Sequence, residues 1–178
     1  MKYTVKRTAV LACASFLMIG SVSLAASTPK VQAMGLPNPI VTYDTYESVV
    51  KDAGFTPLYL TRDAGFSCYY LSLIGKNTAD IGFQRLGQPE TTVRVRTMPQ
   101  KADKSIKDIS GIYSVTWKDQ VIDGVTVSIA KISDTSYAAH WKVGDYQFSA
   151  QATGMSAPEF KALLENSLVD DSAHYFVK

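Results

Sequence analysis

His140 and Asp145 stand close together in HWKVGDYQFSAQATGM, the stretch from His140 to Met155, beside Trp141 and Tyr146. An imidazole near a carboxylate is the minimal equipment of a general base with its orienting partner. The other histidine of the chain is His174. Two histidines without a thiolate pair or further ligands at a recognisable spacing predict no metal site. A second constellation is Val93-Arg94-Val95-Arg96, where two guanidinium groups share one side of a strand and suit a carboxylate or a phosphate. The sequence holds no G-x-S-x-G elbow, phosphate-binding glycine loop or H-E-x-x-H helix. Acidic dyads are assembled in space and leave no spacing, so a carboxylate-based hydrolase stays among the readings. Asp44, Glu47, Asp123, Asp134, Asp145 and Glu159, however, sit at expected caps and turns, where local structure already accounts for them.

Strand geometry decides what the histidine stretch offers. Side chains alternate along a strand, so Ala139, Trp141 and Val143 share one face and His140 and Lys142 the other. Past a turn at Gly144-Asp145, Tyr146, Phe148 and Ala150 join the apolar face. His140 is then expected to look outward beside Lys142, with Asp145 at the hairpin tip. No catalytic residue and no cofactor follow from this reading. Arg94, Arg96, His140 and Lys142 remain as ligand-contact candidates.

The elements that must position these residues are legible around them. TYDTYESVVKDAGF predicts a short helix capped by Asp44 or Thr45, with Glu47 completing a capping box from Asp44 and Gly54 ending the helix. Strand-like runs follow at Pro57–Thr61, Ser67–Gly75, Ala79–Leu86, Thr91–Met98, Ile112–Lys118, Val121–Ser133, Tyr137–Val143 and Tyr146–Thr153, with Asp123-Gly124 splitting the sixth. Short connections favour antiparallel neighbours. Pro99–Ser110, rich in lysine and aspartate, reads as an exposed connection. Gly154-Met155-Ser156-Ala157-Pro158-Glu159-Phe160 starts a final helix, with Ser156 as N-cap, Glu159 at N3 and a Met155–Phe160 staple. Its stripe of Phe160, Leu163, Leu164 and Leu168 should cover the sheet. The expected fold is α+β: a mostly antiparallel meandering sheet of about seven or eight strands, with one short N-terminal and one C-terminal helix packed on it.

The first 33 residues read as a signal peptide. Lys2, Lys6 and Arg7 precede an apolar run from Ala9 to Ala26, and Val31-Gln32-Ala33 fits an A-x-A-type cleavage site. Cleavage near Ala33 leaves residues 34–178 as a single α+β domain with an ordered core at about 37–169. Retained, the same run would be a membrane anchor, the one membrane contact expected. Lys2, Lys6, Arg7 and Lys30 leave with the leader and no acidic residue goes with them, which turns the formal charge from +2 to −2. That balance, without a long basic run, predicts no nucleic-acid partner. Cys68, the one cysteine after the leader, has no partner for a disulfide within the mature chain and is expected to pack as a small apolar residue.

The helix end Ala53-Gly54-Phe55, then Val93-Arg94-Val95-Arg96, Asp108-Ile109-Ser110-Gly111-Ile112-Tyr113, Gly144-Asp145-Tyr146-Gln147-Phe148-Ser149 and Gly154-Met155-Ser156-Ala157-Pro158-Glu159-Phe160 occur in an order that resembles a secreted domain-of-unknown-function family of Gram-positive bacteria. That family is also found attached to membrane-anchored anti-sigma-type regulators. The resemblance spans roughly Pro37 to Val169 and departs from the family's more acidic character between Lys101 and Lys107. It implies an exported α+β domain and supplies no activity and no catalytic residues. Export, the chemistry left unassigned and 10 tyrosines together favour a non-enzymatic binding module of the cell envelope or extracellular space. Its partner is expected to be a protein, a peptide or an envelope component. The alternative is a carrier whose curved sheet wraps a lipid or acyl chain, for which Tyr69, Leu71 and Leu73 on one face and Cys68, Tyr70 and Ile74 on the other allow apolar walls.

Overall fold

A computed structural model describes residues 39–176. The expected leader over residues 1–33 and its cleavage point at Ala33 lie outside the described residues. Eight strands form one antiparallel sheet among those residues: β1 (Ile40–Tyr43), β2 (Phe66–Ile74), β3 (Thr78–Arg85), β4 (Gln88–Pro99), β5 (Lys118–Ile122), β6 (Val125–Ser133), β7 (Ser136–Val143) and β8 (Tyr146–Thr153). Their order across the sheet is β1-β2-β3-β4-β8-β7-β6-β5. Two meanders thus meet along the central β4–β8 ladder, and the sheet stays open, with β1 and β5 at its edges. The fold is the α+β architecture expected.

Alternation gives the sheet two unlike faces. Ile81, Phe83, Val93, Val95, Phe148, Ala150, Ala139, Trp141 and Val127 line one face and are all buried. Over it lie α1 (Tyr46–Ala53) and a C-terminal helix built of α2 (Ala157–Leu163), a π-helical turn (Leu164–Leu168) and α3 (Val169–Tyr175). Phe160, Leu163, Leu164 and Leu168 all point into the core as their spacing requires, and the helix runs on past Val169. The Glu159 carboxylate accepts from the Ser156 backbone N–H at 2.9 Å and its hydroxyl at 2.6 Å, and Met155 and Phe160 are both buried. Trp141 stacks on Phe148, 5.6 Å between ring centroids, and its indole N–H donates to the buried Ser172 hydroxyl at 2.9 Å.

Several local expectations change. Thr45 is the N-cap of α1 and accepts from the Ser48 backbone N–H at 3.2 Å, so Asp44 and Glu47 form no capping box. Pro57–Thr61, expected as a strand, joins no ladder. Proline supplies no N–H, and Leu58 and Leu60 are pressed into the helix-side core instead. Ile112–Lys118 is irregular up to Trp117, because Gly111 and Ser114 both take positive φ values (68° and 62°) that break an extended run. Ile40–Tyr43 is a strand that the sequence reading passed over.

The largest departure is the connection from β4 to β5. Because β4 is central and β5 is at the far edge, Gln100–Trp117 has to travel past β8, β7 and β6. It does so as a strap over the second face of the sheet: its own Ile109 and Ser110 are buried, and the Gln147 amide donates to the Ile106 carbonyl at 3.0 Å. The connection is exposed over Lys101–Lys107, as expected, apart from the half-buried Asp103, and buries only Ile109 and Ser110 at its far end.

Candidate functional site

Arg94 and Arg96 project from β4 under this strap, and their register neighbours fix what they meet. Asp80 of β3 stands opposite Arg96, and Gln151 of β8 opposite Arg94. The Arg96 guanidinium lies 3.3 Å from the Asp80 carboxylate and donates to the carbonyls of Ile109 (2.9 Å) and Ser110 (3.1 Å). Arg94 donates to Gln151 at 2.7 Å and to the Ser110 carbonyl at 3.4 Å. The Tyr70 hydroxyl completes the group with a 3.1 Å bond to Asp80. The carboxylate that this arginine pair holds is thus the protein's own, and the pair also clamps the strap.

His140 and Lys142 share the same face. His140 lies between Ser128 and Ser149 in the ladder, and the Trp117 ring from the end of the strap stands edge-on to the imidazole, centroids 4.5 Å apart. His140 is therefore half-covered rather than free in solvent, and among the described residues no carboxylate bonds to it. Asp145 is away at the hairpin tip, paired with Lys101 at 3.3 Å between two exposed side chains. His140, Lys142 and Lys107 border a shallow cavity of about 530 Å³. His174, on α3, lies 3.1 Å from the Asp170 carboxylate; its pKa is raised, first by the Asp170 carbonyl and then by that carboxylate. The structure brings Arg94 together with Arg96, and His140 with Lys142, but does not gather the four into one site. Among the described residues, no three side chains of His, Cys, Asp or Glu are placed to hold a metal ion.

The more distinctive constellation lies on the helix side, where α1 and the Thr56–Thr61 segment meet the sheet. Two cavities, of about 980 and 430 Å³, share Tyr46 and Tyr59. Tyr146, Tyr175 and Phe176 line the larger one; Tyr43, Tyr69 and Tyr70 line the smaller. Among the described tyrosines, only Tyr113 and Tyr137 lie outside both. Tyr46 stands edge-on to Tyr59 (4.9 Å), and Tyr59 edge-on to Phe83 in the core (5.0 Å). These contacts root the exposed aromatic rim in the rigid sheet.

Several hydroxyls along these cavities are engaged internally: Tyr46 donates to the Pro57 carbonyl at 2.5 Å and Tyr43 to Asp52 at 3.1 Å. Burial, followed by Tyr59 and Glu47, pushes the Tyr46 pKa up to about 12. Burial likewise raises Tyr59 and the Cys68 thiol, and that thiol donates to the Tyr70 carbonyl at 3.3 Å. Cys68 is thus a protonated, half-buried thiol rather than a thiolate nucleophile. What the grooves present is aromatic surface, phenol hydroxyls, the carboxylates of Asp44, Glu47, Asp145 and Asp171, and the ammonium of Lys101. Composition announces the tyrosines, but they are spread from β1 to α3 and only the tertiary fold collects them. Comparison with protein families, curated proteins and solved structures finds no match to this chain.

Proposed function

We propose that this protein is an exported, non-enzymatic binding module of the cell envelope or extracellular space, which engages a protein, a peptide or an envelope component through its tyrosine-lined grooves. The observation that carries this reading is the gathering of tyrosines from β1, α1, the Thr56–Thr61 segment, β2, β8 and α3 around two adjoining cavities. Tyrosine supplies a large contact area with a polar tip and little side-chain freedom to lose, which suits recognition surfaces. The leader-like N-terminus and the resemblance to a secreted family support export.

The test uses exposed rings, so that folding is spared. Tyr69 and Tyr175 are 56% and 80% exposed at the grooves, and Tyr113 is 85% exposed away from them. Immobilised protein should retain a component of the envelope fraction of its parent cell. The Tyr69→Ala/Tyr175→Ala variant should retain at least tenfold less, and Tyr113→Ala as much as the wild type. Equal retention by all three proteins, or loss through Tyr113→Ala alone, refutes the assignment of the grooves.

A further inference from the structure

The smaller groove coincides with an incomplete ladder. β1 pairs with β2 only from Leu71 to Ile74, whereas β2 begins at Phe66. Along Phe66–Tyr70 the inner edge of β2 is paired with β3, and among the described residues no strand pairs with the outer edge. β1 stops at Tyr43, where the chain turns through Asp44 and Thr45 into α1. The line of β1 is therefore continued by an edge without a strand for roughly 17 Å, at about 3.4 Å per residue, and the smaller groove opens along its Cys68–Leu71 end. A sheet edge without a ladder partner is a template for strand addition, here with the Tyr70 carbonyl already accepting from the Cys68 thiol.

The walls along this edge specify what would pair with it. Asp44 and Glu47 border its Cys68–Leu71 end, where no lysine or arginine lines the groove; at the Phe66 end Arg85 stands over the ring but is paired with Glu159. Neither carboxylate forms an ion pair among the described residues. Tyrosine ring faces attract cations. Tyr69 occupies a bulge, the register shifting between Cys68 and Tyr70, and its ring turns over β3 towards Gly82, edge-on to Tyr70.

We propose that the outer edge of β2 at Phe66–Tyr70 binds an extended peptide carrying lysine or arginine side chains, added as a strand in line with β1, with Asp44, Glu47 and the neighbouring tyrosines receiving the cationic groups. The proposal rests on the reading of the tyrosine grooves as the binding surface and narrows its ligand.

Titration of isotope-labelled protein with a capped peptide of alternating lysine and valine tests it by amide chemical shifts. Shifts should concentrate between Phe66 and Leu71. Affinity should fall at least tenfold for the same peptide with methylated backbone nitrogens, and at least tenfold for a glutamate–valine peptide. The Asp44→Lys/Glu47→Lys protein, or Asp44→Asn/Glu47→Gln if the first variant loses its circular dichroism signal, should bind the lysine peptide at least tenfold more weakly. Equal binding of the methylated peptide removes strand addition, and equal binding of the glutamate peptide removes the charge preference. Shifts centred elsewhere, no binding at millimolar peptide, or a concentration-dependent dimer joined through β2 each overturn the proposal. If retention of an envelope component still depends on Tyr69 and Tyr175 in that event, the groove assignment survives and only the cationic strand is lost.

Discussion

Gly82 shows how one residue organises the polar face. It sits on β3 between Asp80 and Gln84, opposite Arg94, and a Cβ there would fall inside the Tyr70 ring and 2.9 Å from the Tyr69 ring. The missing side chain lets Tyr70 lie flat over the strand and reach Asp80 with its hydroxyl. Burial, followed by Asp80, raises the Tyr70 pKa, so the phenol keeps its proton and remains a donor. Gly82→Ala has no remedy by rotamer change, since the clash is with a ring fixed on the adjacent strand. It should destabilise the protein by about 1–3 kcal/mol, the usual range for overpacking, read from urea unfolding. The identity of Gly82 is plain in the sequence, but its reason is not: alternation places it on the outward face, where nothing in the chain order announces a tyrosine from β2.

Among the elements, the strap Gln100–Trp117 has the least local structure and the most specific anchors. Arg96 holds both Ile109 and Ser110 while facing Asp80, which is 7% exposed. Arg96→Met removes the charge and the clamp together. Leaving a buried charge without its partner costs about 3–5 kcal/mol, and the lower end, about 3 kcal/mol, applies here because Tyr70 and Arg94 still face Asp80. Limited proteolysis should then cut within Lys101–Lys107 at least tenfold faster, before the sheet is attacked; an unchanged strap would show that Arg96 does not anchor it. The C-terminal helix gives a pH-dependent counterpart. Hydrogen bonds from the Ser156 hydroxyl and backbone N–H, and then Arg85, hold the Glu159 carboxyl down to about 2. Because the folded value lies below the ordinary 4.5, the stabilisation is fully present above that pH and is lost as pH falls through about 2. Glu159→Gln should therefore lower Tm at pH 7, with the difference from wild type vanishing as pH approaches 2.

At the scale of the whole molecule, the strand order explains both faces. Two meanders meeting at β4–β8 place the end of β4 in mid-sheet and the start of β5 at an edge, so the chain between them has to cover one side. The helices then take the other side, where the apolar residues converge. Since the polar face is capped by a strap held from within, the arginine pair serves cohesion, and the proposed recognition falls to the aromatic end near α1. The same topology leaves β1 too short to cover β2, so that among the described residues the edge beside Tyr69 has no strand.

Sequence by itself determined the α+β class, most strands, the β5–β6 turn and the side-chain parity of His140 and Trp141. It also determined the C-terminal helix with its capping residues. Each of these depends on period, turn chemistry or caps, which act over a few neighbouring residues. Tertiary structure alone decided the order of the strands, the strap and the partners of Arg94 and Arg96. It also covered His140 with Trp117 and collected the tyrosines from six separate segments. Those outcomes depend on which distant segments become neighbours, and no local spacing encodes that choice.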